Sequence, residues 1–303
     1  MTRRGFISLL PAAAAPLQPQ IFSLAWQKLL ALGGFGDVRL LDPQTKAVIA
    51  TLGPHAEAVR AVAFSSAGNR LAAAGGRPGL KGELRIWDVE ARQPVATAQG
   101  HSDCIYGVAV SPDGALVATG SYDKLVKLWD AASGREVRTL KDHIDAVYAV
   151  AFTPDGKHLL SGAADRTVKV WNVATGERLF TLSEPADGVN AIALHPSGKM
   201  VAAGGLDKTI RLWALGERAG ELRNTLIAHE DAILQLAWSP DGKTLISASA
   251  DKLIKVFEAS TLAEQKSIRQ PDWVTGLKFS PDGGRFAAGR YDGSLTVYDM
   301  GAL

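Results

Sequence analysis

A short phrase returns along this chain at a nearly constant interval. It is an Asp turn, two or three residues, then alternating apolar residues that end in Trp-Asp or a relic of it. It reads Leu84-Arg85-Ile86-Trp87-Asp88, Val126-Lys127-Leu128-Trp129-Asp130, Val168-Lys169-Val170-Trp171-Asn172 and Ile210-Arg211-Leu212-Trp213-Ala214. Weaker copies stand at residues 38–42, 254–258 and 295–299. The end positions Leu41, Trp87, Trp129, Trp171, Trp213, Phe257 and Tyr298 lie 46, 42, 42, 42, 44 and 41 residues apart. A fixed period of this size marks a repeat architecture, in which each unit buries its apolar face only by stacking on its neighbours. Length alone would suggest about two domains. Seven units instead use nearly all of the 303 residues and argue for one closed array.

Bulk properties remove several function classes. Net charge is +2 with 21% charged residues, so no strong field favours nucleic acid. No apolar run reaches the ~18–20 residues needed to span a bilayer. Cys104 is the one cysteine, which rules out an intrachain disulfide. The 14 prolines and 31 glycines fall mostly at repeat turns, and no linker stands out.

One repeat shows the physics. Gly100-His101-Ser102-Asp103 is a polar turn, and residues 105–110 run apolar like a buried inner strand. Ser111-Pro112-Asp113-Gly114 is a tight turn in which Pro presets φ and Gly accepts positive φ. Residues 116–120, 125–129 and 136–140 read as three further short strands, the last more polar. Such four-stranded antiparallel sheets cannot each bury both faces alone. Packing them radially, face to face, buries them and leaves only short edges.

In this combination of His, turn, Asp and Trp, the chain resembles the WD-repeat family over about residues 21–300. The resemblance implies an all-β fold: a seven-bladed β-propeller of four-stranded antiparallel blades, spanning residues 21–303. It also implies a buried polar network in each well-kept repeat. Two repeats match it fully, His101, Thr119, Asp123 and Trp129, then His143, Ser161, Asp165 and Trp171. A third, His229, Ser247 and Asp251, carries Phe257 in place of the Trp. Asp207 and Trp213 have Pro185 and Ala203 where His and Ser belong, and His55 lacks a matching Asp.

A His-Ser-Asp set invites a catalytic-triad reading. Catalysis needs one site, however, and this set recurs at the repeat period, which favours a structural role. No Cys-x-x-Cys or His-x-x-x-His spacing offers a metal site. Gly33-Gly34-Phe35-Gly36 and Gly75-Gly76 precede strands rather than helices, which argues against a phosphate cradle.

By analogy with the family, ligand contacts concentrate on the narrower face. They involve the second residue of the inner strand and the residue before the turn Asp. Mapped by register, the partner-binding candidates are Phe22, Arg60, Tyr106, Tyr122, Tyr148, Asn190, Trp273 and Tyr291. Aromatics and Arg are the types that anchor interfaces. Arg60 and Arg290 would meet a charged partner, and the enlarged turn at residues 75–82 adds Arg77 and Lys81.

The expected function is a non-catalytic scaffold without cofactor, a monomeric propeller that binds a peptide or protein within an assembly. The alternative is a propeller enzyme or a small-ligand-binding exported protein working through the central channel. Such an enzyme would need non-repeating acid, base or metal residues. The recurrent Asp103, Asp145, Asp187, Asp231 and Asp272 instead sit at a periodic turn position.

Residues 1–20 carry two competing expectations. Thr2-Arg3-Arg4-Gly5-Phe6-Ile7 is similar to the bacterial twin-arginine export signal, with an apolar stretch and Ala12-Ala13-Ala14-Ala15 following. That reading places the protein in the periplasm. The alternative is a cytoplasmic protein in which residues 5–10 close the last blade as its fourth strand.

Overall fold

The computed structural model describes residues 20–303. They form seven antiparallel sheets. Blade 1 contains Ser23–Trp26, Leu30–Gly33, Val38–Leu41 and Val48–Leu52, and blades 2 to 6 repeat that four-strand order. Blade 7 has three strands among the described residues, Val274–Phe279, Arg285–Arg290 and Leu295–Asp299. Both expectations for the N-terminus, export signal and closing strand, fall on residues 1–19 and lie outside the described residues.

The inner strands touch one another in cyclic order, and that of blade 7 meets that of blade 1. Thr275 donates its hydroxyl to the Ile21 carbonyl across this closure. The core is a set of slabs between neighbouring sheets. Trp129 packs on Leu84, Ile86 and Val117 between blades 2 and 3, and Trp171 on Leu128, Val147 and Leu159 between blades 3 and 4. Phe257 fills the equivalent place beside Ile210 and Leu245. The recurring Trp is therefore an inter-blade wedge, which is why its spacing sets the period. Each tight turn supports this frame. Gly114 donates to the Ser111 carbonyl at 2.9 Å and adopts φ 73°, a left-handed conformation that favours glycine.

The start of the inner strand carries a feature that positions side chains. In blades 2 to 7 the pairing with the second strand slips by one residue at its top end. The skipped residues are Arg60, Tyr106, Tyr148, Asn190, Leu234 and Thr275. A β-bulge leaves one residue unpaired and re-aims its side chain. Each of these six blades thus turns one residue out of its own sheet, at the end opposite the Pro-Asp-Gly turns.

Candidate partner-binding face

The polar sets hold the turns that shape the face. In blade 3, His101 Nδ1 lies 2.8 Å from Asp123 Oδ2 and Nε2 2.8 Å from Thr119 Oγ1. Trp129 Nε1 donates to the same hydroxyl at 2.8 Å. Blade 4 repeats this with His143–Asp165 at 2.7 Å, His143–Ser161 at 2.7 Å and Trp171–Ser161 at 2.8 Å. The indole donates to the hydroxyl and Nδ1–H to the carboxylate; the hydroxyl donates to Nε2 when the imidazole is neutral and accepts from Nε2–H when it is protonated. Burial pushes the Asp165 carboxyl up, but the His143 hydrogen bond and charge outweigh it and hold it at about 2. In blade 6, His229 meets Asp251 at 2.8 Å and Ser247 at 2.6 Å. Thr119, Ser161 and Ser247 are fully buried at 0% exposure, so none presents a nucleophile to a substrate.

The degenerate blades solve the same problem with other residues. In blade 5, Trp213 Nε1 donates to Glu184 Oε2 at 3.1 Å, and Arg211 pairs with Asp207. In blade 7, Gln270 takes the His place and its Oε1 accepts from Arg290 Nε at 2.9 Å, Arg290 Nη2 at 2.6 Å and Tyr298 OH at 3.1 Å. Arg290 is 4% exposed and spends its remaining donors on Ser294 and Thr296. The expectation that Arg290 meets a charged partner is therefore corrected: its guanidinium is committed inside the blade.

Blade 2 leaves its set incomplete. Ala73 pairs with Arg85 at the register where blade 3 pairs Thr119 with Lys127. The His55 and Trp87 rings keep a 5.8 Å separation, against 6.0 Å for His101 and Trp129. Trp87 Nε1 and His55 Nε2 are both buried without a partner. Glu83 approaches His55 Nδ1 only to 3.6 Å and is itself bonded by Arg85. Ala73→Ser should supply the missing hydroxyl and stabilise the protein by about 1–2 kcal/mol. A melting temperature raised by a few degrees checks this; an unchanged or lower one refutes it.

On the face itself, six rings and one guanidinium are linked by successive contacts. Trp273 lies 6.3 Å from Tyr291, and Tyr291 lies 6.0 Å from Phe22, edge to face. Arg60 sits 5.7 Å over the Phe22 ring and 5.1 Å over the Tyr106 ring. Tyr106 then meets Tyr148 at 5.6 Å and Tyr122 at 6.2 Å. Phe22, just before the inner strand of blade 1, and the bulged Arg60 and Tyr106 come from successive blades and meet side by side. Burial pushes the Tyr106 hydroxyl up to about 12 and raises Tyr148 as well. Asn190 stands apart from the rings and donates Nδ2 to the Ile233 carbonyl at 3.0 Å. Arg60 Nε and Asn190 Oδ1 are buried and without a partner.

Exposed apolar side chains stand on turns of the same end: Phe35 and Leu80 at 64% and Ile144 at 79%. The enlarged turn of blade 2 is an extension of the hairpin, with Arg77 opposite Lys81. Arg77 Nε reaches Glu57 at 3.3 Å, and Gly79 donates to Asp103 Oδ1 at 2.8 Å. The recurrent turn carboxylates serve their own backbone. Asp103, Asp145, Asp187 and Asp231 each accept the next residue's N–H at 2.7–2.8 Å. Burial raises the Cys104 thiol to about 11, and it donates to the Gly76 carbonyl at 3.0 Å. Among the described residues no group of three or more His, Cys, Asp or Glu side chains is placed to hold a metal ion. Among them no helix is long and apolar enough to cross a membrane.

Sequence reasoning missed Glu83, Glu184 and the Gln270–Arg290 pair, because the residue types differ from those of the better-kept repeats. A search for polar residues at each repeat's His position would have found Gln270, whereas Glu184 is exposed and stands one residue before that position. Six segments, 46–88, 92–130, 134–172, 176–214, 220–258 and 263–299, match the family model described as WD domain, G-beta repeat. Each begins on the outer strand of one blade and ends on the third strand of the next, so every repeat ties two blades together. No curated protein matches the chain.

Proposed function

Because this chain belongs to the WD domain, G-beta repeat family, whose propellers commonly serve as protein-interaction scaffolds, we propose that it captures a peptide or protein segment on its aromatic face without catalysing a reaction. The observation that carries this reading is the unbroken arc from Trp273 through Tyr291, Phe22, Arg60 and Tyr106 to Tyr148. Aromatic rings bury much area with little loss of side-chain freedom, and Arg adds directional donors. A ring-flanked guanidinium favours a partner carboxylate or carbonyl between the rings. The exposed Phe35, Leu80 and Ile144 around this centre would widen the contact.

The test is retention of partners from a native extract by the full chain and by an Arg60→Met/Tyr148→Ala variant. The variant should retain them at least about tenfold less well, since central anchors are each worth ~2 kcal/mol or more. Its melting temperature should stay within about 5 °C of the parent. Unchanged retention, or a much larger fall in melting temperature, would assign these side chains to packing instead.

A further inference from the structure

The other end of the channel departs from the repeat at one position. The penultimate residue of the inner strand is Ala25, Ala63, Ala109, Ala151, Ala193 and Ala237 in blades 1 to 6, and Lys278 in blade 7. All seven line one cavity of about 480 Å³ at the Pro-Asp-Gly end of the channel. Trp26, Phe64 and Trp238 line it together with Gln27, Ser66 and Ser280, and polar atoms make up more of its accessible wall than apolar ones; among the described residues Lys278 is the one ionisable residue there. Among the described residues no carboxylate pairs with its ammonium. The residue is exposed, with its side chain open to the cavity, and desolvation by the surrounding protein lowers its pKa from the ordinary lysine value.

An ammonium that projects into a channel without a counter-charge sets a positive potential there, and an anion entering beside it is attracted. A cavity of this size lies within the usual range for small-molecule sites. One ammonium offers a single point charge and no nest of backbone N–H groups, which suits a monoanion better than a phosphate ester.

We propose that this cavity binds a small organic anion, with one carboxylate or sulfonate on the Lys278 ammonium and an apolar body against the alanine ring. The site lies at the opposite end of the channel from the aromatic arc and is independent of it.

Anilinonaphthalene sulfonate, which fluoresces in apolar surroundings, is the probe, and phenylnaphthylamine is its uncharged counterpart. Lys278→Ala puts back the residue that the six other blades carry, so the fold has no reason to fail. The full chain should bind the sulfonate at least about tenfold more tightly than Lys278→Ala, while the uncharged probe binds both alike. Lys278→Arg should retain the sulfonate, and octanoate should displace it where octanol at equal concentration does not. Arg60→Met/Tyr148→Ala should bind the sulfonate as the parent does. Equal sulfonate affinity for parent and Lys278→Ala, absence of binding, or a loss confined to the Arg60→Met/Tyr148→Ala variant would overturn the proposal.

Discussion

Between pH 6.5 and pH 4 this protein should lose about 3 kcal/mol of folding stability through His55 alone. Burial pushes the His55 imidazole from its ordinary 6.5 down to about 4; Glu83 opposes the shift and Arg85 adds to it. The side chain is 3% exposed, and its Nε2 has no partner to share a proton with. The unfolded chain therefore takes up a proton near pH 6.5 that the folded chain refuses until about pH 4. Stability is full above the unfolded value and falls across that window, by roughly 1.4 kcal/mol for each pKa unit. Burial lowers His229 as well, so acid acts on blade 6 in the same direction. Below pH 3.8, Asp165 adds its own loss as pH falls toward 2, its folded value. His55→Gln isolates the first effect, because blade 7 carries Gln270 at the equivalent place, four residues before its inner strand. Denaturant unfolding of parent and variant at pH 7, pH 5.5 and pH 4 should show curves that diverge by about 3 kcal/mol at the acid end. Parallel curves would show that His55 is not the group being titrated.

The fold was legible because its signal is periodic. Trp129, Trp171 and Trp213 fill equivalent places between sheets, and equal structural roles leave equal spacings in the chain. The His and Asp partners were legible for the same reason in blades 3 and 4. The rest was hidden by two physical facts. A period marks a place, whereas the balance of donors and acceptors at that place can be met by other residue types. Glu184 serves Trp213, and Gln270 with Arg290 and Tyr298 replaces His, hydroxyl and Trp altogether. An arginine inside such a set looks, in sequence, like an arginine on a turn, which is why Arg290 was placed on the face. The second fact is backbone detail. The bulges that turn out Arg60, Tyr106 and Tyr148 depend on a one-residue slip in pairing, and no residue type at those positions announces it. Register from the repeat identified the face residues, but the contacts joining them into an arc needed coordinates. Lys278 shows the converse: a break in a run of periodic alanines is visible in sequence, yet its meaning depends on the cavity it lines.

The largest single loss should come from Gln270→Leu, at about 3–5 kcal/mol. Its Oε1 is the acceptor on which two donors of the Arg290 guanidinium converge, and no carboxylate pairs with that guanidinium among the described residues. Both side chains are buried, at 3% and 4% exposure. Leucine removes the acceptor and leaves a buried cation held only by the Ser294, Thr296 and Tyr298 hydroxyls. The position matters for the ring as well as for the blade. Gln270 lies on the connection between the outer strand of blade 6 and the inner strand of blade 7, and its backbone N–H donates to the Lys252 carbonyl at 2.8 Å. Arg290 ends the second strand of blade 7, and Tyr298 on the third strand stacks on Phe286 at 4.8 Å. The cluster therefore binds three segments at the blade that meets blade 1. If the loss comes from an uncompensated charge, removing the charge must restore stability. Gln270→Leu/Arg290→Met should recover most of it, because an apolar pair of similar volume can replace a buried polar one at little net change. Thermal and urea unfolding of the parent, both single variants and the double variant give the coupling energy directly. A double variant no more stable than Gln270→Leu would mean that the glutamine matters for packing on blade 6 rather than for holding the arginine.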